Sequence, residues 1–103
     1  MSHRLILRPE AESDVAAAAE WYELQRSGLS LQFRDALDKT FAAIQERPSL
    51  HTLVYRNLRR ALVRRFPFGV FYVAQPESVI VVAVLHTARN PRLWSTRLKS
   101  RDG

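Results

Sequence analysis

The sequence predicts an α+β domain in which an antiparallel helix hairpin packs on one face of a small, antiparallel-dominated curved sheet, in the order β-α-α-β-β-β. Two observations predict this class. Residues 9–47 carry apolar side chains at helical spacing, interrupted once at residues 27–28. Residues 58–85 then change to short apolar or alternating runs separated by turn residues, which is typical of strands. The 103 residues suffice for one domain, with residues 97–103 as a possible flexible tail.

A short strand over residues 3–7 opens the predicted order, and the first helix follows over residues 9–25. Pro9 suits the first turn of a helix, where its missing N–H is not needed. Carboxylates close behind it complement the positive end of the helix. They are Glu10, Glu12 and Asp14.

The second helix begins near residue 29 or 30, after Ser27 and Gly28 interrupt the first. Its apolar stripe recurs at helical intervals and comprises Leu29, Phe33, Leu37, Phe41 and Ile44. Pro48 ends the helix, because the residue before a proline avoids helical geometry. Since the link between the helices is short, we expect them to form an antiparallel hairpin.

Three strands are predicted after the helices, over residues 58–66, 69–74 and 79–85. Pro67 and the segment 75–78 supply turns short enough for an antiparallel meander. The last strand is apolar on both faces, which favours a central position in the sheet. With the hairpin on one face, the other face is expected to be partly open and rimmed by arginines.

Positive charge is concentrated in the second half of the chain. The net charge is +6, and residues 51–103 hold ten of the sixteen basic side chains but two of the ten acidic ones. Such a field attracts nucleic acid or an acidic protein. A solvated basic surface that only aids solubility is the alternative.

Several kinds of chemistry are not expected from this composition. The chain has no cysteine, which excludes disulfides, thiolate metal sites and cysteine nucleophiles and fits a cytoplasmic location. His3 and His51 have no acidic or histidine neighbour at ligand spacing, so we expect no metal and no cofactor. No apolar run is long enough to cross a bilayer, so we expect no membrane partner.

The densest basic cluster lies on the first strand of the predicted meander. It comprises Arg59, Arg60, Arg64 and Arg65. Neighbouring residues of a strand point to opposite faces, so at most one arginine of each adjacent pair serves a given surface. The cluster can bind a target or nucleic acid, or it can protect a sheet edge by charge.

Candidate groups also lie where the last strand ends. Histidine is a side chain suited to acid–base catalysis, but His86 can equally cap the strand through a structural hydrogen bond. Arg89 can contact a phosphate or fix the tail to the sheet. Arg92 adds a further positive charge for target or nucleic-acid binding.

Three stretches taken together resemble the RelE/ParE toxin superfamily over residues 5–94. They are residues 5–15 (LILRPEAESDV) with Trp21-Tyr22 after them, residues 63–72 (VRRFPFGVFY) and residues 81–91 (VVAVLHTARNP). The RFPF and HxxRxP patterns resemble the ParE-like branch more closely. The resemblance implies a toxin of a type II toxin–antitoxin system that inhibits DNA gyrase without catalysis of its own.

The alternative implied by the resemblance is a RelE-like endoribonuclease that cleaves messenger RNA on the ribosome. Arg65, His86 and Arg89 would then be the catalytic candidates. Two departures weaken this alternative. Gly69 stands where RelE-like members often carry a strand arginine, and Trp94 stands near their C-terminal tyrosine.

The resemblance further implies a cognate antitoxin, which would fold as it wraps over the toxin in a hetero-oligomer. Apolar residues beside the helix hairpin are the candidate docking points. They are Trp21, Leu24 and Leu31.

Overall fold

The computed structural model describes residues 3–88 together with Leu93 and Arg97. Its helices are α1 (Pro9–Gln25) and α2 (Leu29–Glu46). Its strands are β1 (Arg4–Leu7), β2 (Thr52–Tyr55), β3 (Leu58–Leu62), β4 (Phe68–Ala74) and β5 (Ser78–His86). The order is therefore the predicted one with one strand, β2, added before the meander.

The five strands form one sheet in the order β1-β5-β4-β3-β2. Strands β3 to β5 make the predicted antiparallel meander, β2 adds a further antiparallel strand beside β3, and β1 pairs in parallel with β5. The sequence analysis missed β2, because its four residues are exposed or half-buried and carry no run of core side chains. A sharp two-residue turn joins it to β3, in which Tyr55 pairs with Leu58.

Both helices pack on one face of the sheet, as predicted. Tyr22 of α1 and Phe33 of α2 are buried there against Phe66 and Phe68, with ring centroids 5.0–6.0 Å apart. Rings at such separations bury large apolar areas and favour edge-to-face contacts. This aromatic cluster therefore fixes the helix hairpin over the start of β4.

The loop between the helices is fixed by a glycine and a carboxylate. Gly28 has a φ of 89°, a left-handed backbone conformation that glycine adopts far more readily than other residues. The Glu23 carboxylate accepts hydrogen bonds from the Gly28 N–H at 3.0 Å and from the Ser30 hydroxyl at 2.7 Å. The backbone bond from Gly28 contributes most to holding the pKa of Glu23 below its usual range. The second helix thus receives its N-terminal cap from the first.

The face of the sheet away from the helices differs from the expectation of a partly open surface. It carries a second buried apolar cluster, formed by Leu58, Phe71, Val73, Val82, Ala83 and Leu85. Strand β5 contributes to both clusters, because its apolar residues point to both faces of the sheet. Strand β5 is accordingly an inner strand, paired with β1 and β4.

Candidate functional site

The edge of β5 nearest α1 is left open where β1 stops. The parallel pairing ends with Leu7 opposite Val81, whereas β5 continues to His86. The Asp14 carboxylate of α1 takes over beyond that point, because it accepts a hydrogen bond from the Val84 N–H at 3.0 Å. The carboxylate thereby gives this strand N–H a hydrogen-bond acceptor in place of the neighbouring strand that is missing there.

Asp14 also binds Arg97, which lies 83 positions later in the chain. The guanidinium makes two hydrogen bonds to the carboxylate, the longer of them 3.0 Å between Nη2 and Oδ1. The Asp14 side chain is 12% exposed and that of Arg97 is 21% exposed. The bond to Asp14 raises the pKa of Arg97, since the carboxylate stabilises the guanidinium cation. This pair holds Arg97 against α1, and residues 98–103 of the predicted flexible tail lie outside the described residues.

An apolar groove of about 600 Å³ opens beside this ion pair, between α1 and the far half of β5. Its wall includes Trp21, Phe68, Leu85 and Leu93, with His86 and Arg97 among the polar members. Concave, mostly apolar surfaces with few polar groups are where proteins bind ligands or partner segments. The groove is therefore the main candidate binding site in the described part of the chain.

His86 is engaged in local structure at the end of β5. Its Nδ1 lies 3.1 Å from the Ala88 N–H, which donates to it, and its ring packs on Phe68 with centroids 5.5 Å apart. Next to it, the Thr87 N–H donates to the Pro67 carbonyl at 2.9 Å. These contacts match the strand-capping interpretation of His86. A catalytic role for His86 stays a prediction.

The arginines of β3 separate onto the two faces of the sheet, as adjacent strand residues must. Arg59 lies on the helix side and donates from Nη1 to the His51 carbonyl at 2.7 Å. The stem of Arg60 lies over Gly69, where a Cβ would be 3.2 Å from the Arg60 Cγ. Arg59 thus holds the loop before β2, and Arg60 covers the opposite face.

Arg64 and Arg65 do not lie on a strand, so the expectation that β3 extends to residue 66 is wrong. Strand β3 ends at Leu62, and the Val63 N–H donates to the Phe68 carbonyl at 2.9 Å, which closes a turn. Pro67 has no N–H and cannot continue a ladder. Both arginines are exposed at the tip of this hairpin, so strand alternation does not apply to them.

The remaining predicted site residues divide into two groups. Trp21, Leu24 and Leu31 are exposed, to 46%, 77% and 72%, and Trp21 also lines the groove. Arg89 and Arg92 lie outside the described residues, as does Trp94.

A hydrogen-bonded network around Tyr72 was not anticipated from the sequence, where His51 looked isolated. The buried Tyr72 hydroxyl donates to the Pro48 carbonyl at 2.6 Å and lies 3.2 Å from Nδ1 of His51. Burial raises the pKa of Tyr72 to about 12, and burial followed by the nearby Arg59 charge lowers the pKa of His51. These groups anchor the end of α2 to the sheet, which makes them structural.

Within the described residues, no helix has the length and apolar content needed to cross a membrane. In the same residues, no group of three histidine or acidic side chains is placed to hold a metal ion.

A two-helix hairpin on a mixed sheet with this strand order is the fold of the RelE/ParE toxin superfamily, as the sequence resemblance implied. The chain matches the family model for the ParE toxin of the type II toxin–antitoxin system, parDE, over residues 5–91. Because that match covers most of the chain, the protein belongs to the ParE toxin family. A comparison with curated proteins finds no match.

Solved structures show the same fold at low sequence identity. The chain is similar to one in the chromosomal ParDE TA system from P. aeruginosa, with a TM-score of 0.73, 12% identity, and coverage of 82% of this chain and 96% of that one. It is also similar to a double mutant of the E. coli toxin RelE in the free state, with a TM-score of 0.63, 17% identity, and coverage of 97% and 98%. Identities this low establish the fold alone.

The Asp14–Arg97 pair generates a stability prediction. We expect Asp14→Ala to destabilise the fold by about 1–3 kcal/mol, because the Val84 N–H and the Arg97 guanidinium both lose their acceptor. Arg97→Ala should cost less, since Asp14 still accepts from Val84. Ser13→Ala, an exposed neighbour on α1, should change stability by less than about 0.5 kcal/mol. Urea unfolding measures all three, and equal midpoints for the variants at residues 13 and 14 would refute the role of Asp14.

The environment of His51 predicts a pH dependence. Its folded pKa lies below 6.5, its ordinary value, so the unfolded chain binds the proton more tightly. Stability is therefore full above that ordinary value and decreases as the pH falls below it. His51→Asn should flatten this slope, whereas Ser49→Ala, in the same loop, should keep it. The checks are urea unfolding between about pH 7.5 and about pH 5 and an NMR titration of the His51 ring. A measured pKa above 6.5 would contradict the assignment.

Proposed function

We propose that this member of the ParE toxin family inhibits DNA gyrase by binding to it, and that a cognate antitoxin neutralises it. Family membership supports the general class, a toxin of a type II toxin–antitoxin system. Gyrase as the target, binding as the mechanism and neutralisation by an antitoxin are the parts that we propose.

The packing around Gly69 is the observation that carries the choice of binding over catalysis. A Cβ at this position would lie 3.2 Å from Cγ of Arg60 and 3.2 Å from Cε1 of Phe71, so a side chain there would have to displace the Arg60 stem or the Phe71 ring. The resemblance places the strand arginine of RelE-like nucleases at this position. A nuclease needs such a charge to stabilise the phosphorane. The described residues instead hold His86, the candidate acid–base group, in a contact with the Ala88 N–H.

One feature favours the alternative, a ribosome-dependent endoribonuclease. The Arg60 stem that fills the space over Gly69 brings a guanidinium to the same face of the sheet. Together with Arg65, His86 and Arg89, it could supply charge stabilisation and proton transfer by a different route. The test of the gyrase proposal therefore includes translation as a second readout.

The antitoxin surface is proposed on the helix side of the molecule. Trp21 and Leu24 are one helical turn apart on α1 and share a face, and Leu31 is near the start of α2. Trp21 continues this exposed apolar surface into the groove beside β5. An amphipathic helical segment of the antitoxin that folds on binding fits such a surface. Trp21 would become buried in this contact and would be its main anchor.

The gyrase proposal predicts that the purified protein, in molar excess, blocks supercoiling of relaxed plasmid by gyrase. A heat-unfolded sample should leave supercoiling intact. Messenger RNA in a reconstituted translation reaction should stay uncleaved, because binding alone carries the effect. If supercoiling proceeds normally while translation stops and messenger RNA is cut, the endoribonuclease replaces gyrase inhibition as the function.

The proposed antitoxin surface predicts how single substitutions change the affinity of this protein for its cognate antitoxin. Trp21→Ala should weaken its binding by about 30-fold, as truncation of an aromatic anchor commonly does. Leu62→Ala removes a similarly exposed apolar side chain on β3 and should change affinity less than about threefold. Isothermal titration calorimetry measures both variants. Parent-like affinity for Trp21→Ala would remove this surface from the proposal.

A further inference from the structure

Arginine occupies the strained position of two hairpin turns. In the described part of the chain, two non-glycine residues have left-handed backbone, Arg56 with a φ of 51° and Arg65 with a φ of 71°. Arg56 lies in the turn between β2 and β3, and Arg65 in the turn between β3 and β4. Glycine or asparagine adopts this conformation more readily than arginine. Strain retained in this way often marks a functional position.

The guanidinium of Arg56 lies on the sheet face away from the helices. It is 5.1 Å from the centre of the Tyr55 ring, and Tyr55 packs against the apolar cluster of that face. Such a contact holds an arginine in place while leaving its N–H groups able to donate. The end of β3 nearest Arg56 therefore presents an ordered positive charge.

Arg60 lies on the same face, between the two turns. Its stem packs over Gly69 and beside Phe71, a member of the apolar cluster. Its Nε is buried and has no hydrogen-bond partner among the residues that the structure describes. Buried donors almost always have an acceptor, so this atom indicates an acceptor that the described residues do not provide. An oxyanion is the acceptor that a guanidinium fits best.

We propose that these arginines form a binding surface for the phosphate backbone of duplex DNA. We call this surface the basic ridge, and it consists of Arg56, Arg60, Arg64 and Arg65. It runs from the turn between β2 and β3, along β3, to the turn between β3 and β4. The inference rests on the proposed function, because gyrase holds the DNA that the ridge would contact.

Rigidity and composition favour duplex DNA over an acidic protein. Arg56 is held against the Tyr55 ring at one tip of the ridge and Arg65 is exposed at the other, and a duplex is stiff over far greater lengths and carries closely spaced phosphates. Protein interfaces instead depend on apolar or aromatic anchors that become buried. Along the ridge, the exposed large apolar side chain is Leu62, and Arg56 already covers the ring of Tyr55.

Glycine substitution at the two tips separates the effect of lost charge on DNA binding from any effect on folding stability. The double variant Arg56→Gly/Arg65→Gly loses two guanidiniums but relieves the left-handed strain, so its melting temperature should equal or exceed that of the parent. Its affinity for a fluorescein-labelled duplex of roughly 20 base pairs should fall at least about tenfold. The slope of log affinity against log salt should lose about 1.8, the contribution of two released counterions. Fluorescence anisotropy between about 50 and 200 mM salt gives both quantities.

A matched control removes the same net charge from the opposite side of the molecule. Arg34 and Arg47 are exposed residues at α2 and its C-terminal end. Arg34→Gln/Arg47→Gln should keep the salt slope of the parent. Arg60→Met retains the stem over Gly69 and should lower the slope by about 0.9. Arg56→Asn/Arg65→Asn repeats the loss of charge with the other residue that tolerates a positive φ.

Several outcomes would overturn the basic ridge. These are no binding of duplex DNA by the parent, equal slopes for the tip variants and the control, or tighter binding of single-stranded RNA or polyglutamate than of the duplex. Inhibition of supercoiling by a parent that does not bind DNA would remove the ridge but leave the gyrase proposal standing. DNA binding without inhibition would support the ridge and remove gyrase as the target.

Discussion

The inner position of β5 constrains most of this structure. The strand is apolar on both faces, and its burial requires the helix hairpin on one side and the second apolar cluster on the other. It is also longer than the β1 strand that pairs with it, so its far edge needs a substitute partner. Asp14 provides one, and its second bond, to Arg97, holds that arginine against α1. Both residues also line the groove between α1 and β5.

The arginines show how one residue type serves unlike purposes within a small domain. Arg59 and Arg97 have hydrogen-bond partners in the protein and stabilise it. Arg60 uses its stem for packing and leaves a buried Nε without a described acceptor. Arg56 and Arg65 occupy strained turns where smaller residues would be more stable. The net charge of the sequence does not distinguish these uses, because an arginine bound within the protein and an exposed arginine each add one positive charge.

The two proposed surfaces lie on different sides of the sheet. The exposed apolar residues and the groove are on the helix side, and the Arg56 and Arg60 side chains are on the other. An antitoxin helix on the groove would thus leave the basic ridge uncovered unless another segment of the antitoxin crosses the sheet. Because the two surfaces are on different sides, covering the apolar groove would not remove water from the arginines of the basic ridge.

The sequence predicted the helix hairpin through local periodicity with Pro9, Gly28 and Pro48, and it predicted the meander and the apolar β5 through short apolar runs. It indicated the toxin family through three stretches that resemble that family. It missed β2, whose half-exposed residues give no periodic signal, and it extended β3 past the turn that Pro67 imposes. The contacts of Asp14 with Arg97, of His51 with Tyr72 and of Arg60 with the space over Gly69 became visible in the folded chain alone. These contacts join residues far apart in the chain or on neighbouring strands. Their geometry follows from strand register and packing, which no local pattern in a single sequence encodes.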